Sequence, residues 1–225
     1  MANKNIILQH YTGELGELEK LSQENIKKYA EFCGAEYQLV QGDVFKEGLT
    51  APCQKMHMLD EKWDVYDIVV MLDIDMFTRK GLTENIFTDV KGIGMYADVQ
   101  KYLHKKIYNN FPHLLDLRYA YWGGAIWRLT KEQRINLRQH INMKELEIFN
   151  GGFEDEGMMA RLATLAKISV DEEVLPGNFD WCHCSYREGI ENSKMIHIRR
   201  KITPARRPQR EKIENYRALV ERGLI

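Results

Sequence analysis

Asp73 and Asp75 stand one residue apart, directly after the apolar run Ile68-Val69-Val70-Met71-Leu72. Five apolar residues with a β-branched centre predict a strand buried on both faces, as in a parallel sheet. Two carboxylates at the end of such a strand are costly unless a cation or a ligand charge meets them. Side chains i and i+2 of an extended chain point the same way. Both acids can therefore face one hard metal ion at the carboxyl edge of the sheet, where open α/β sheets bind ligands. The plain alternative is a solvated Asp-x-Asp turn, and the buried strand before it weighs against that.

Two more stretches carry groups able to do chemistry. Gly151-Gly152-Phe153-Glu154-Asp155-Glu156-Gly157 sets three acids at the start of a predicted helix, where they gain from the helix dipole or serve a reaction. Met195-Ile196-His197-Ile198-Arg199-Arg200-Lys201 is a late strand with one imidazole that runs into three cations. Carboxylate oxygens joined by an imidazole suit Mn²⁺ or Mg²⁺. Cys182-His183-Cys184 suggests zinc, but no second ligand pair accompanies it, so reduced thiols in a loop are expected.

The elements that must hold these groups alternate in type. Residues 5–10 form an apolar strand ending at His10 and Tyr11. Residues 13–32 repeat Leu15, Leu18, Leu21, Ile26 and Tyr29 at helical spacing, with Gly34 as a stop signal. A second strand at 36–40 ends at Gly42. Pro52 opens a helix with Met56, Leu59 and Trp63 on one face and Lys55 in its first turn, leading into the strand 67–72. Strand-helix-strand-helix-strand with short links predicts an α/β fold with a mostly parallel central sheet flanked by helices. Further on, a short helix at 82–87, a strand at 92–96, a polar aromatic-rich stretch to Tyr121, and a tight turn at Trp122-Gly123-Gly124 entering a strand are expected. Helices at 131–141 and 155–166, short strands at 167–170 and 195–198, and a basic helix at 210–222 complete the chain. That last helix would bury Ile213, Tyr216, Leu219 and Val220. One domain spans 1–203: its first half, 1–98, looks like a nucleotide-binding α/β sheet and its second half, 99–203, like an irregular cap on the acceptor side. The helix at 204–225 packs on it.

The 225 residues carry a net charge of -1, which gives no general attraction to nucleic acid. No apolar stretch approaches the roughly 20 residues of a bilayer span. The first strand follows Met1-Ala2-Asn3-Lys4 at once, leaving no room for a signal peptide, so a cytoplasmic protein or a piece of a larger one is expected.

These stations together resemble the GT-A glycosyltransferases, which move a sugar from a nucleoside diphosphate to an acceptor. The resemblance rests on His10-Tyr11, Asp73-x-Asp75, the Gly123-Gly124 turn, the Glu154-Asp155-Glu156 cluster and His197. More narrowly, the chain is similar to the small glycosyltransferase domains that chlorella viruses use on capsid glycans, which would place it in the host cytoplasm. The resemblance implies a UDP-sugar donor, a hexose or deoxyhexose such as glucose or rhamnose, a glycan or glycoprotein acceptor, and Mn²⁺ or Mg²⁺. Asp75 and His197 would ligate the ion, and Asp73 would reach it directly or through water while binding ribose. Lys201 would grip the diphosphate, with Arg199 and Arg200 as competitors, although the glycine and Pro-Trp that surround this position in some relatives are missing. His10 and Tyr11 would hold the base, and Lys55 could reach the nucleotide. Asp155, with Glu156 as second choice, would face the reacting sugar, the two pointing about 100° apart on a helix. Gly123 and Gly124 would let backbone approach the donor sugar, and Trp122 or Trp127 could stack on a sugar face. His197 with Lys201 leans towards retention of configuration.

Two other readings compete. Haloacid-dehalogenase phosphatases also end a strand in Asp-x-Asp, but on the first strand and with Thr two residues after the second acid; here Phe77 stands there. A non-catalytic carbohydrate-binding module would not need paired metal carboxylates and a distant histidine.

Overall fold

The computed structural model of the chain describes residues 4–96, 98–169, 173–175, 181–199 and 212–225. The run from Ile68 to Leu72 is strand β3 (Ile68–Leu72), with every residue buried. It lies inside a four-stranded sheet beside β1 (Asn5–Tyr11), β2 (Glu36–Gln41) and β5 (Ile126–Thr130), in the order β2-β1-β3-β5. β1 runs parallel to both β2 and β3, while β5 closes the edge antiparallel, so the sheet is mostly parallel.

Alternation along the strands builds a core on each face. Val69 and Met71 enter one core with Ile6, Leu8, Trp127 and Leu129. Ile68, Val70 and Leu72 enter the other with Ile7 and Ile126. Each such side chain contributes roughly 1.5–3 kcal/mol by leaving water. Helix α1 (Glu17–Phe32) covers the second core with Ile26, Tyr29 and Ala30, and Gly34 ends it at φ +67. The first core is covered by the segment Pro52–Leu59 and by the helices α3 (Lys131–Arg138), α4 (Met143–Leu146) and α5 (Glu154–Leu165).

A second sheet, in the order β4-β7-β6, consists of β4 (Met76–Thr78), β6 (Cys182–Cys184) and β7 (Met195–His197). It shares a third core with Leu18 and with α6 (Lys212–Glu221), through Phe77, Ile196, Ile198 and Leu219. Cys182 to Cys184 is thus a strand rather than the expected thiol loop.

Several expectations are corrected. The helix after Pro52 is two tighter 3₁₀ turns, Pro52–Leu59 and Glu61–Val65, because Asp60 takes an extended backbone and accepts a hydrogen bond from the Lys62 N–H. No helix forms at 82–87. The Asn85 side chain accepts from the Phe87 N–H, Asp89 accepts from the Asn85 N–H, and the Ile86 N–H donates to the Tyr29 hydroxyl, so side chains outcompete the helical ladder. The stretch read as polar contains helix α2 (Asp98–Asn110), which buries His104 and Ile107. The strands expected at 92–96 and 167–170 shrink to the isolated bridges Gly94–Val174 and Tyr119–Ser169, and residue 170 lies outside the described residues. On α6, Ile213, Tyr216 and Leu219 face the core, but Val220 is 42% exposed, since the next residue turns about 100° away.

Candidate active site

The end of β1 and the turn after β3 are tied by buried polar side chains. Gln9 donates to the Asp73 carbonyl (3.0 Å) and to Ser22 Oγ (3.0 Å), and accepts from the Tyr37 hydroxyl (2.9 Å). Ser22 Oγ in turn donates to the Met76 carbonyl (2.6 Å). From the other side the Ile198 N–H donates to the Asp75 carbonyl (2.9 Å), fastening the turn to β7. Ile74 and Asp75 lie in a turn rather than in extended chain, yet the two carboxylates converge.

They converge on His197. Its Nε2 lies 3.0 Å from Asp75 Oδ1 and 3.5 Å from Asp73 Oδ2, and the three donor atoms sit within 4.8 Å of one another. Among the described residues this is the one cluster of His, Cys, Asp and Glu able to hold a metal ion. Two carboxylates and an imidazole fit Mg²⁺ or Mn²⁺, and the burial of Asp75 (5% exposed) demands a positive neighbour. Burial acts to raise the Asp75 carboxyl, but His197 and the Lys212 ammonium on Oδ2 overcome it and hold the group well below the usual carboxylate range.

Asp73 is also paired on its other side. Lys55 is buried, with Nζ 2.5 Å from Asp73 Oδ1, 2.5 Å from Asp155 Oδ2, and donating to the Gly124 carbonyl (2.8 Å). Asp73 Oδ1 and the Gly124 carbonyl accept hydrogen bonds from it, and Asp155 Oδ2 is held beside it by opposite charge, so the ammonium is directed at the two acids. Burial works against its charge, but Asp155 and Asp73 prevail and keep it protonated. Asp155 itself, 6% exposed, is pushed up to about 6 by burial and by Asp73, against the pull of Lys55.

Helix α5 begins abruptly. Phe153 (φ 69) and Glu154 (φ 43) both occupy the left-handed region, at a cost of roughly 1–2 kcal/mol per residue. Glu156 accepts from the Gly124 N–H (3.0 Å) and from the Tyr121 hydroxyl. Asp155 and Glu156 thereby both line the cleft despite their angular separation, since Glu156 reaches back to the glycine turn. That turn has no room for side chains: a Cβ at Gly124 would lie 2.6 Å from Asp155 Oδ2, and one at Gly123 would lie 2.7 Å from Gln100 Nε2.

No protein-family model matches the sequence, and no curated protein matches it. Solved structures match in fold across nearly the whole chain. One is a glycosyltransferase involved in the glycosylation of the major capsid of PBCV-1, with a TM-score of 0.52 and 11% identity over 96% of this chain and 99% of that one. Another is an active-site mutant of LgtC, with a TM-score of 0.55 and 11% identity over 97% and 96%. A third is mouse xyloside xylosyltransferase 1, with a TM-score of 0.50 and 10% identity over 92% and 100%. The fold is GT-A. The haloacid-dehalogenase reading falls with that observation.

In this GT-A framework the cleft at the carboxyl ends of β1 and β3 has a volume of about 590 Å³. His10, Tyr11, Lys55, Asp73, Asp75, Gly123, Gly124, Asp155, Glu156 and His197 all line it. His10 points Nε2 at the Gly42 carbonyl (2.8 Å), and burial lowers its affinity for a proton. Lys201 and Arg200 lie outside the described residues, whereas Arg199 lines the cleft. Trp122 and Trp127 are fully buried and do not line it, so neither is placed to stack on a ligand; Tyr121 and Phe153 are the aromatic residues on that wall. Lys212 was missed because it stands 137 residues from Asp75, and no local pattern links the two. Tyr121 was passed over in favour of the adjacent Trp122, although it directly precedes the glycine turn.

Proposed function

We propose that the chain is a metal-dependent glycosyltransferase that moves a sugar from a UDP-sugar to a hydroxyl of a glycan or glycoprotein. One observation carries this reading: the Asp73, Asp75 and His197 donor set meets the buried acid Asp155 across Lys55 in one cleft of a GT-A fold. Structures of similar fold support the reaction class, including galactosyltransferase LgtC in complex with donor and acceptor sugar analogues.

Asp73, Asp75 and His197 would hold Mn²⁺ or Mg²⁺, which when bound offsets the charge that grows on a departing diphosphate. Asp75 is the firmer ligand; Asp73, already shared with Lys55, also suits ribose hydroxyls. His10 and Tyr11 would take the base, with stacking on Tyr11 contributing on the order of 1–3 kcal/mol. Lys55 acts by fixing Asp73 and Asp155 at one distance. Arg199, which lines the cleft, would bring positive charge towards the diphosphate, the role that the sequence pattern also gives to Lys201. The Gly123-Gly124 backbone lines the place for the donor sugar. Asp155, with a proton affinity raised by burial, is the first choice to face the reacting carbon, as base or as charge stabiliser, and Glu156 is the second.

Glucose or rhamnose is the donor class to try first, viral capsid glycoprotein is one acceptor class, and retention is the favoured outcome. The proposed setting is cytoplasmic, with no nucleic-acid partner; no described helix is long and apolar enough to cross a membrane.

UDP with Mn²⁺ should raise the melting temperature, and Asp75→Ala should abolish the rise. No shift with any nucleoside diphosphate rejects the proposal. A screen of UDP-, GDP- and dTDP-sugars for Mn²⁺-dependent hydrolysis, with products followed by NMR, then identifies the donor and its stereochemistry.

A further inference from the structure

We propose that Lys212 is a resident counter-cation that occupies Asp75 until metal and nucleotide arrive together, which makes their binding mutually dependent. This rests on the metal reading above. Asp75 has two oxygens, and both are engaged: Oδ1 faces His197 Nε2 at 3.0 Å, and Oδ2 is held by the Lys212 ammonium. A divalent cation placed on this carboxylate would sit at contact range of that ammonium, and like charges so close in a buried site repel strongly. Lys212 must therefore leave for the ion to bind well.

The fold lets it do so. Lys212 is the first residue of α6, and its side chain is 39% exposed. Among the described residues the anchors of α6 lie beyond it: Ile213, Tyr216 and Leu219 in the third core, the Tyr216 ring 4.8 Å from that of Phe77, and Asn215 Nδ2 donating to the Arg199 carbonyl. The lysine side chain can swing while the helix stays docked. By contrast Lys55, with Asp73, Asp155 and Gly124 around it, has no such freedom. Lys212 lines the same cleft as the acids, so a diphosphate bound there gives the displaced ammonium a new anionic partner. Metal alone then binds against a competitor, whereas metal with diphosphate does not. This is a coupling between two ligands, and it must act equally in both directions.

The test is a Mn²⁺ titration followed by electron paramagnetic resonance on the full chain, with and without UDP. Lys212→Met, which keeps the length of the stem, is expected to bind Mn²⁺ alone about tenfold more tightly than the wild type and to lose about tenfold of the enhancement by UDP. Lys212→Gln should do the same and Lys212→Arg should behave as wild type, each checked by hydrogen exchange of α6. Unchanged or weaker Mn²⁺ binding in the Met and Gln variants, an effect in only one of them, or full retention of the UDP enhancement overturns the role of Lys212 and leaves the metal site standing. If neither wild type nor variant binds Mn²⁺ with or without UDP, the metal reading fails as well.

Discussion

The main sheet and the small β4-β7-β6 sheet meet along the Asp73–Asp75 turn and serve it in different ways. On the main-sheet side, Asp73 is fixed by Gln9 through its carbonyl and by Lys55 through its carboxylate, and everything behind them is buried core. On the small-sheet side, Asp75 is met by His197 and Lys212, which stand on a three-residue strand and on the first residue of a terminal helix. One acid is thus held by a rigid frame and the other by a wall that can change partners. The contrast teaches that an Asp-x-Asp pair need not be a symmetric clamp, since each acid can answer to a different part of the fold.

That contrast can be broken at either side. The largest expected effect is Lys55→Met, which leaves Asp73 and Asp155 without their shared cation; about 3–5 kcal/mol of global stability should vanish in urea denaturation. A loss under 1 kcal/mol would mean the frame does not depend on this lysine. Next is Leu219→Ala on the other wall, at about 2–4 kcal/mol. Here the loss should appear as faster hydrogen exchange confined to α6, and equal loosening of β1 and β3 would erase the distinction between the two sides.

Acid offers a third comparison, because His57 and His104, both buried on the main-sheet side, are lowered by burial to about 4. Their unfolded forms take up protons near 6.5, so stability is full above that value and is lost as pH falls from about 6.5 towards 4. At pH 5 the cost is about 2 kcal/mol for each, measurable as a lower urea midpoint than at pH 7. A midpoint unchanged between the two would refute their neutral burial. The smallest expected effect is Tyr121→Phe, about 1.5 kcal/mol, because Glu156 keeps its bond to the Gly124 N–H. A cost as large as that of Lys55→Met would make Tyr121 part of the frame.

The sequence was most legible where pattern and burial coincide. β1 and β3 announce themselves by apolar runs, β2 by the glycines that bracket it at 34 and 42, and α1 by its periodicity and its stop at Gly34. The acids and His197 could be found because they lie at the ends of such elements. α2 stayed hidden since its buried stripe includes His104, which reads as polar, and lysines surround it. β4 and β6 have three residues each, too few for a period to show. The partnership of Lys212 with Asp75 is purely tertiary, created by α6 docking on the third core.

Gly123 and Gly124 press so closely on Gln100 and Asp155 that one wall of the cleft is bare peptide. A side chain at Gly124 would strike the acid beside Lys55, and one at Gly123 would have to displace the Gln100 amide, so this wall resists reshaping by single exchanges. Adaptation to a new sugar would therefore fall to Leu103, Phe153 and Tyr186, which are partly exposed and line the same space. A library that randomises those three positions and spares the glycines should hold most of the folded variants with altered choice of sugar.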